Sequence, residues 1–329
     1  MTTRTSYSPL TGLTLRALGN AIGSTIGRNR VCVINYHRIL SFPEPLLASE
    51  PDVHAFRWQM ELLARCFHVM PLHDALQAVA IGKVPQRAVC ITFDDGYRSI
   101  HELALPVLRE FGLPATAFVT SGYIGQGSMW NDRIIEAIQT LPAGKLDLAD
   151  FGLGTYQLNN MAERKSALAV LIERSKYLPP AARDSLVDRL DLLAAKATAR
   201  DPMLTRDMII DLSRHGIDIG AHTVSHPILT SLDDDSARRE ITGGKAQLEA
   251  IIGKPVRLFA YPNGKAGKDF DERHSAMVRE AGFDAAFTTA PGSFGRDHDR
   301  FKLPRSRPWD DAPLTFGLRL LRWLAPGAP

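Results

Sequence analysis

In the stretch Ala88-Val89-Cys90-Ile91-Thr92-Phe93-Asp94-Asp95-Gly96-Tyr97, an apolar run ends in two adjacent carboxylates. The run predicts a buried strand, and charged groups at the end of such a strand are costly unless a cation or hydrogen bonds compensate them. Asp-Asp-Gly by itself is also an ordinary turn signal that needs no ligand. A second motif is therefore needed to distinguish a turn from a site.

That second motif is His222-Thr223-Val224-Ser225-His226, which follows the short strand pattern of residues 217–221. Two histidines four residues apart share one face of a helix, so the spacing alone is weak evidence for a site. Pro227, however, biases His226 away from the helical region of the backbone map. Ligand sites in α/β folds gather at the carboxyl ends of strands, so the two motifs are expected to meet there.

One carboxylate and two imidazoles make a three-ligand shell with an open position for water, as in catalytic zinc sites. Zinc lowers the pKa of that water and so produces a nucleophile near neutral pH. Adjacent residues at a strand end point in different directions. The Asp94-Asp95 pair is therefore expected to supply one metal ligand and one general base.

These motifs resemble, in the same order, those of the polysaccharide deacetylases that share the NodB homology domain and form carbohydrate esterase family 4. The resemblance runs over most of residues 31–308. It implies that Asp94 is the general base and that Asp95, His222 and His226 bind Zn²⁺ or another divalent transition metal. It also implies an N-acetylated glycan as substrate and hydrolysis of its N-acetyl group.

A third motif, Phe259-Ala260-Tyr261-Pro262-Asn263-Gly264, resembles the variant found in exopolysaccharide deacetylases of the intercellular-adhesin type. The resemblance implies that Tyr261 and Asn263 contact substrate, with backbone N–H groups near both holding an oxyanion. Tyr97, which closes the first motif, is assigned to substrate binding on the same ground.

The commoner form of the third motif has an arginine at the position of Ala260, and that arginine holds the base aspartate in place. This chain therefore needs another partner for Asp94. Arg305, in Leu303-Pro304-Arg305, is the candidate, with Arg257 second. The alternative for each is an arginine on the surface beside a strand.

The early stretch Ile34-Asn35-Tyr36-His37-Arg38 resembles the Tyr-His-Arg segment that opens this subgroup. His37 is accordingly predicted to be a catalytic, proton-handling group, the alternative being a histidine that satisfies a core hydrogen bond.

Many members of the family end with a Leu-x-His motif whose histidine is the general acid, and this chain lacks that motif. His298, the one histidine after residue 290, lies in a charged loop that indicates a solvated turn. The general acid is therefore unassigned.

Strand and helix patterns alternate along the chain, which predicts an α/β fold with a parallel sheet or barrel. The family resemblance implies an incomplete (β/α)7 barrel of the NodB homology type. A helical insertion is predicted at about residues 130–203, either a lid over the cleft or additional scaffold. The predicted strands cover residues 88–94, 115–120, 218–222, 257–261 and 285–289, and the predicted helices residues 100–111, 161–176, 180–197, 235–252 and 272–281.

The deacetylase domain is predicted at residues 31–310, between an N-terminal amphipathic segment (1–30) and a C-terminal amphipathic helix (311–329). The C-terminal pattern fits an interfacial helix with peripheral membrane association, or a helix that packs on the barrel.

The sequence has no convincing secretory signal and no run long enough to span a membrane. Its cysteines, Cys32, Cys66 and Cys90, have no disulfide spacing. We therefore expect a cytoplasmic location, at the inner face of the membrane.

Charge excludes one class of partner. Lys and Arg number 39 against 36 Asp and Glu, and a net charge of +3 is too small to indicate nucleic acid as a partner.

An exopolysaccharide or a lipid-linked glycan intermediate is the preferred substrate. Two other functions stay open: hydrolysis of a different amide, such as a formyl group on a lipid-linked sugar, and glycan binding with weak catalysis. Ala260 and the absent terminal histidine favour the latter.

Overall fold

The computed structural model describes residues 29–194, 202–307 and 310–325, together with residues 12 and 15. Its strands are β1 (Val31–Tyr36), β2 (His68–Val69), β3 (Ala88–Phe93), β4 (Ala115–Val119), β5 (Lys145–Leu148), β6 (Gly154–Gln157), β7 (Ile217–Ala221), β8 (Leu258–Ala260), β9 (Ala285–Phe287) and β10 (Ser293–Phe294). Its longer helices are α1 (Val53–Cys66), α2 (Leu72–Ile81), α3 (Leu105–Phe111), α4 (Trp130–Thr140), α5 (Met161–Ser175), α6 (Pro180–Leu193), α7 (Arg206–Arg214), α8 (Asp234–Ile252), α9 (Glu272–Glu280) and α10 (Pro313–Leu324).

The main sheet follows the order β10-β1-β3-β4-β7-β8-β9, with β2 paired to β3 outside this path. Neighbours along the path are parallel except β10, which runs antiparallel to β1. The sheet curls until residues 303–306 join its two sides. Leu303 bridges β9 at Phe287, and Ser306 bridges β1 at Ile34. The predicted incomplete seven-stranded α/β barrel is confirmed.

Both faces of the sheet are buried, which explains why its strands are continuous apolar runs. In β1, Val31 and Val33 belong to one core cluster, whereas Cys32 and Ile34 belong to the cluster shared with the surrounding helices. Within the first cluster the rings of Phe118 and Phe287 lie 5.6 Å apart. Side chains therefore fill the space inside the curl.

The motifs lie where parallel strands end, at one rim of the barrel. β3 ends immediately before Asp94, β7 before His222 and β8 before Tyr261. The predicted strands were one or two residues too long at this rim. The backbone leaves the extended conformation there, with φ of 73° at Asp95 and 56° at Asn263.

The predicted insertion is not wholly helical. After α4 the chain forms an antiparallel hairpin of β5 and β6 before it enters α5 and α6. Lys145-Leu146-Asp147-Leu148 alternates between exposed and buried positions, a period-two pattern typical of a strand. Helix α6 is described to Leu193, and the last residues of the predicted helix at 180–197 lie outside the described residues.

The helix predicted at 100–111 is also irregular at its start. Residues Ile100–Ala104 form a π-helical turn in which the N–H of Leu105 donates to the carbonyl of Ile100. Pro106 has no N–H to donate one turn back, and its ring would clash with the carbonyl of Glu102 in a regular helix. The wide turn avoids that clash.

Helix α10 packs its apolar face on the barrel, with Phe316, Leu320 and Leu321 buried. The ring of Phe316 meets that of Trp58 edge to face at 5.5 Å. Most of the predicted segment 1–30 lies outside the described residues, although Leu15 is buried against Gly317. Among the described residues, no helix combines the length and apolarity needed to cross a bilayer.

Replacing Phe316 with alanine should lower the free energy of unfolding by about 3–5 kcal/mol, because a buried aromatic side chain leaves a cavity. Leu318→Ala, on the exposed face of the same helix, should cost less than about 1 kcal/mol. Urea denaturation of both variants measures the difference. Equal, small effects would show that α10 does not contribute to the core.

Candidate active site

Asp94 is held by a two-point ion pair with Arg305. The guanidinium donates from Nη1 to Oδ1 and from Nη2 to Oδ2, each at 2.7 Å. Asn35 donates from Nδ2 to Oδ2 at 3.0 Å. Arg305 is 0% and Asp94 2% exposed in their side chains. The carboxylate is therefore fixed in orientation by two neighbours that cannot move independently of the barrel.

Arg305 reaches Asp94 because the segment 303–306 crosses the gap between β9 and β1. Its Nε donates to the carbonyl of Thr288 at 3.2 Å, and its guanidinium lies 5.1 Å from the centre of the Phe118 ring. Arg257, the second candidate, instead pairs with Asp284 on the surface. The structure thus places Arg305, and not Arg257, beside Asp94.

Charge balance determines the ionisation of Asp94. Burial alone would raise the pKa of Asp94, but the guanidinium of Arg305 and the imidazole of His222 bring it below its ordinary value. The group is therefore an ionised carboxylate near neutral pH. An ionised carboxylate that accepts hydrogen bonds is the state that a general base requires.

Asp95, His222 and His226 form a cluster beside Asp94. Oδ1 of Asp95 lies 3.5 Å from Nε2 of His222 and 3.4 Å from Nε2 of His226. The two imidazole rings meet edge to face, with centroids 4.9 Å apart. One ligand atom from each residue lies within 4.8 Å of the others. The cluster therefore offers three donor atoms to one point.

The tautomer of His222 is fixed by its backbone contact. Nδ1 lies 2.7 Å from the carbonyl oxygen of Ala260, which accepts a hydrogen bond and cannot donate one. Nε2 therefore presents its lone pair towards Asp95. Such an outer hydrogen bond is what orients metal-ligating histidines in proteins. Ala260 thus serves the site through its carbonyl group.

Burial and mutual charge set the ionisation of the three groups. Burial alone would raise the pKa of Asp95, but the two imidazoles lower it well below its usual range. Burial lowers the pKa of His226 to about 4. Burial would also lower the pKa of His222, but the carboxylates of Asp94 and Asp95 raise it. A carboxylate is therefore present to balance a cation.

The cluster fits a divalent transition metal. Oδ1 of Asp95, the atom that faces both histidines, is buried without a hydrogen-bond partner. Two ligands at about 2.0–2.1 Å from a tetrahedral zinc lie roughly 3.3–3.4 Å apart, close to the separations between Asp95 and the histidines. One carboxylate with two imidazoles is also a donor set that zinc accepts.

Left-handed backbone conformations concentrate in this site. Asp95, Thr223, His226 and Asn263 have φ between 56° and 73°. They are four of the six non-glycine residues with positive φ in the described parts of the chain. Such conformations cost of order 1–3 kcal/mol each and persist where the surroundings impose them. These residues lie in the three turns that follow β3, β7 and β8, and the side chains of Asp95, His226 and Asn263 line one cleft.

His37 lines the same cleft, as its position after β1 predicted. Its Nδ1 is buried without a hydrogen-bond partner. Burial, together with the guanidinium of Arg307, lowers the pKa of His37. The imidazole is therefore neutral near pH 7 and has an unsatisfied nitrogen, so the reading as a satisfied core histidine does not apply.

Tyr97 also lines the cleft, and its hydroxyl belongs to a buried polar network. The hydroxyl donates to Oδ1 of Asp132 at 3.2 Å and accepts from Arg38, whose guanidinium lies 3.9 Å from the centre of the tyrosine ring. Arg38 also forms an ion pair with Asp132. This network ties the first turn of the insertion to the ends of β1 and β3.

The prediction for Tyr261 is wrong. Its hydroxyl donates to the carbonyl of Phe301 at 3.0 Å, and its ring stacks on Phe270 in the core. Its backbone N–H donates to the carbonyl of Phe287 and is not available to an oxyanion. Residues on a strand alternate between its faces, and this position faces the helices. Asn263, two residues later, does line the cleft.

The insertion forms one wall of the cleft, which has a volume of about 600 Å³. Trp130 and Asn131 of α4 lie on that wall. Tyr177, after α5, donates to Asp269 at 3.0 Å, and Asp269 accepts from the N–H of the lining residue Lys265. Further lining side chains are Leu47, Ile135, Ile172, Lys265 and Thr289.

Sequence reasoning missed Asn35 and the wall residue Trp130. Asn35 is a polar residue inside the apolar strand β1, an anomaly that could have identified it. Trp130 opens a predicted helical segment, where an aromatic residue is an ordinary core choice, so the sequence carried no signal for it. His298 pairs with Asp297 in the surface loop, as predicted.

Comparison with known proteins agrees with this geometry. The family model for polysaccharide deacetylase matches residues 81–286, more than half of the chain. The poly-beta-1,6-N-acetyl-D-glucosamine N-deacetylase of Staphylococcus aureus (strain MSSA476) is 33% identical over 86 residues. That match covers 26% of this chain and 30% of the relative.

Solved structures show the same fold. The Streptococcus pyogenes deacetylase PplD in complex with acetate has a TM-score of 0.59 at 16% identity, covering 90% of this chain and 99% of that one. IcaB from Ammonifex degensii has a TM-score of 0.58 at 17% identity, covering 89% and 97%. With the match over residues 81–286, the chain belongs to the polysaccharide deacetylase family.

Proposed function

We propose that the chain is a metal-dependent hydrolase that removes N-acetyl groups from an amino sugar in a glycan. The observation that carries the proposal is the buried Asp94–Arg305 pair beside the Asp95, His222 and His226 cluster. A general base and a three-donor metal shell then face the same cleft. Family membership supports a polysaccharide as the substrate class.

Asp95, His222 and His226 would hold the ion, with zinc the first choice. When bound, such an ion supplies Lewis-acid chemistry and water of lowered pKa, both of which amide hydrolysis requires. The protein's part is to present the three donors. His222 is oriented by the carbonyl of Ala260, and the pKa of Asp95 lies well below its usual range, so its carboxylate is ionised near neutral pH.

Asp94 is the group that accepts the proton of the attacking water. Arg305 occupies both carboxylate oxygens from one side and keeps the group ionised until the proton arrives. Water adds to the amide carbonyl carbon, the carbon–nitrogen bond breaks, and the amine leaves with a proton while acetate is released. His37, neutral and with an unsatisfied nitrogen, is suited to relay a proton in the cleft.

One of the two arguments for the alternative function, glycan binding with weak catalysis, does not hold in the structure. It drew on the absence of an arginine at position 260, and Arg305 provides a guanidinium beside Asp94 from the segment 303–306. The absent terminal histidine remains its argument. Turnover in the presence of metal distinguishes the two functions.

The substrate we favour is a β-linked N-acetylglucosamine polymer or a lipid-linked precursor of one. The support is the name of the Staphylococcus aureus relative, a poly-beta-1,6-N-acetyl-D-glucosamine N-deacetylase. A cleft with polar catalytic groups and the apolar side chains of Leu47, Trp130 and Ile172 suits a sugar ring, which has polar edges and an apolar face. The cytoplasmic location and the peripheral membrane association stay predictions.

Wild-type protein exposed to zinc and dialysed should retain about one equivalent, and His222→Ala should retain none, because a ligand is lost. Elemental analysis measures the content. His298→Ala, which changes a histidine of the surface loop, is the matched control and should bind as the wild type does. Equal zinc in wild type and His222→Ala would refute the assignment of the site.

Asp94→Asn should lower the rate of acetate release from N-acetylglucosamine oligomers by about 10²–10⁴-fold, the usual contribution of a general base. Its zinc content should equal that of the wild type, because Asp94 is not a proposed ligand. Asp147→Asn, in the exposed hairpin strand β5, is the control and should leave the rate unchanged. A fully active Asp94→Asn enzyme would remove the base from the mechanism.

Arg305→Met should lower the free energy of unfolding by roughly 3–5 kcal/mol, because it leaves the Asp94 carboxylate buried and unpaired. Arg257→Met breaks an exposed pair and should cost at most about 1 kcal/mol. Urea denaturation and acetate release should both separate the two variants. Loss of activity in Arg257→Met with an active Arg305→Met would reverse the assignment.

A further inference from the structure

The loop between the two histidines is held on one side by backbone hydrogen bonds. The carbonyl of Thr223 accepts from the N–H of Ser121 at 3.2 Å, and that of Val224 accepts from the N–H of Gly122 at 2.8 Å. The N–H of His226 donates to Oγ1 of Thr223 at 3.1 Å. These contacts leave the N–H groups of residues 224 and 225 to be satisfied from the other side.

Glu240 of α8 satisfies them. Its Oε2 accepts from the N–H of Val224 and from that of Ser225, each at 2.8 Å. Its Oε1 accepts from the hydroxyl of Ser225 at 2.6 Å. One carboxylate thus receives three hydrogen bonds from the stretch that separates His222 from His226. Hydrogen bonds to an ionised acceptor are stronger than those between neutral groups.

Helix α8 is shaped to bring this carboxylate close. A Cβ atom at Gly244 would lie 2.9 Å from the carbonyl oxygen of Thr223, and one at Gly243 would lie 3.2 Å from Cγ2 of Val224. On the other side of the loop, a Cβ at Gly122 would lie 2.6 Å from the carbonyl oxygen of Val224. Two adjacent glycines disfavour a helix, so their presence here serves the close approach of the loop.

The loop also has a strained backbone, which needs stabilising contacts to keep its conformation. Thr223 and His226 have φ of 66° and 56°, in the left-handed region that non-glycine residues avoid. Without its contacts the loop would relax, and the two imidazoles would leave their present spacing. Glu240 bonds to the two residues that lie between these strained positions.

We propose that Glu240 is a positioning residue that sets the spacing of His222 and His226 before an ion binds. The proposal rests on the proposed function, because it assigns Glu240 to the metal site of that function. The carboxylate lies behind the loop and bonds to its backbone, so it acts through the two histidines and is not itself a ligand.

The test is the dissociation constant of zinc for the full-length chain, measured by competition with a chromogenic chelator. Glu240→Gln keeps the size of the side chain but removes its charge. The two N–H groups are then left with a neutral acceptor, which binds them more weakly, and the hydroxyl of Ser225 must turn to accept from the amide. We expect zinc affinity to fall by about 10–100-fold, the usual effect of an outer partner of a metal ligand.

The control is Glu280→Gln, which removes an exposed carboxylate of the neighbouring helix α9 and changes the net charge equally. The metal-free forms of both variants should melt at similar temperatures, which separates positioning of the histidines from general stability. Glu240→Gln with zinc affinity within about twofold of the wild type would overturn the proposal.

Ser225→Ala decides the question if Glu240→Gln does not fold. It removes one of the three hydrogen bonds and keeps the backbone contacts, so zinc affinity should fall several-fold. Unchanged affinity in Ser225→Ala would then overturn the proposal. The outcomes also distinguish this inference from the proposed function: a wild type that binds no zinc refutes the metal site, whereas zinc binding without acetate release refutes the deacetylase activity alone.

Discussion

Asp94 and Arg305 form a two-point ion pair inside the barrel rim, with side-chain exposures of 2% and 0%. Removing two such charges from water costs several kcal/mol for each ion, and only good geometry with further hydrogen bonds offsets that cost. Asn35 bonds to the carboxylate, and the carbonyl of Thr288 accepts from the guanidinium. The pair therefore exists only if β1, β3, β9 and residues 303–306 meet at one place. Closure of the sheet and placement of the Asp94 carboxylate are the same structural requirement.

The rest of the site follows from the parallel strands that share this rim. Because β3, β7 and β8 end side by side, the residues that follow them face one cleft, and short turns with left-handed φ at Asp95 and His226 direct their side chains inwards. The carbonyl of Ala260 orients His222, and Ser121, Gly122 and Glu240 hold the loop that separates the histidines. Fixed donors lose little order when an ion arrives, which is the advantage of preorganisation.

Much of this arrangement could be predicted from the sequence, because apolar runs that end in Asp-Asp and in His-x-x-x-His encode both the strands and their polar ends. Periodicity could not identify the hairpin of β5 and β6, since four-residue strands are too short to separate from the surrounding helical patterns. Nor could it decide the direction of the Tyr261 side chain, because a shift of one residue in a strand exchanges its faces. The sequence could name Arg305 only as one of two candidate partners for Asp94, because the contact joins residues that are 211 positions apart. Nothing in the sequence indicated a role for Glu240, because a glutamate in a helix is ordinarily a solvent-exposed residue.

The proposed activity hydrolyses the amide of an N-acetylated sugar and leaves the glycan chain intact. It can be measured by mass spectrometry of β-1,6-linked N-acetylglucosamine oligomers after incubation with the zinc-loaded protein. The expected products have lost whole acetyl groups at unchanged chain length, with free amines at the sites of loss. Oligomers that remain fully acetylated, or that become shorter with their acetyl groups retained, would contradict it.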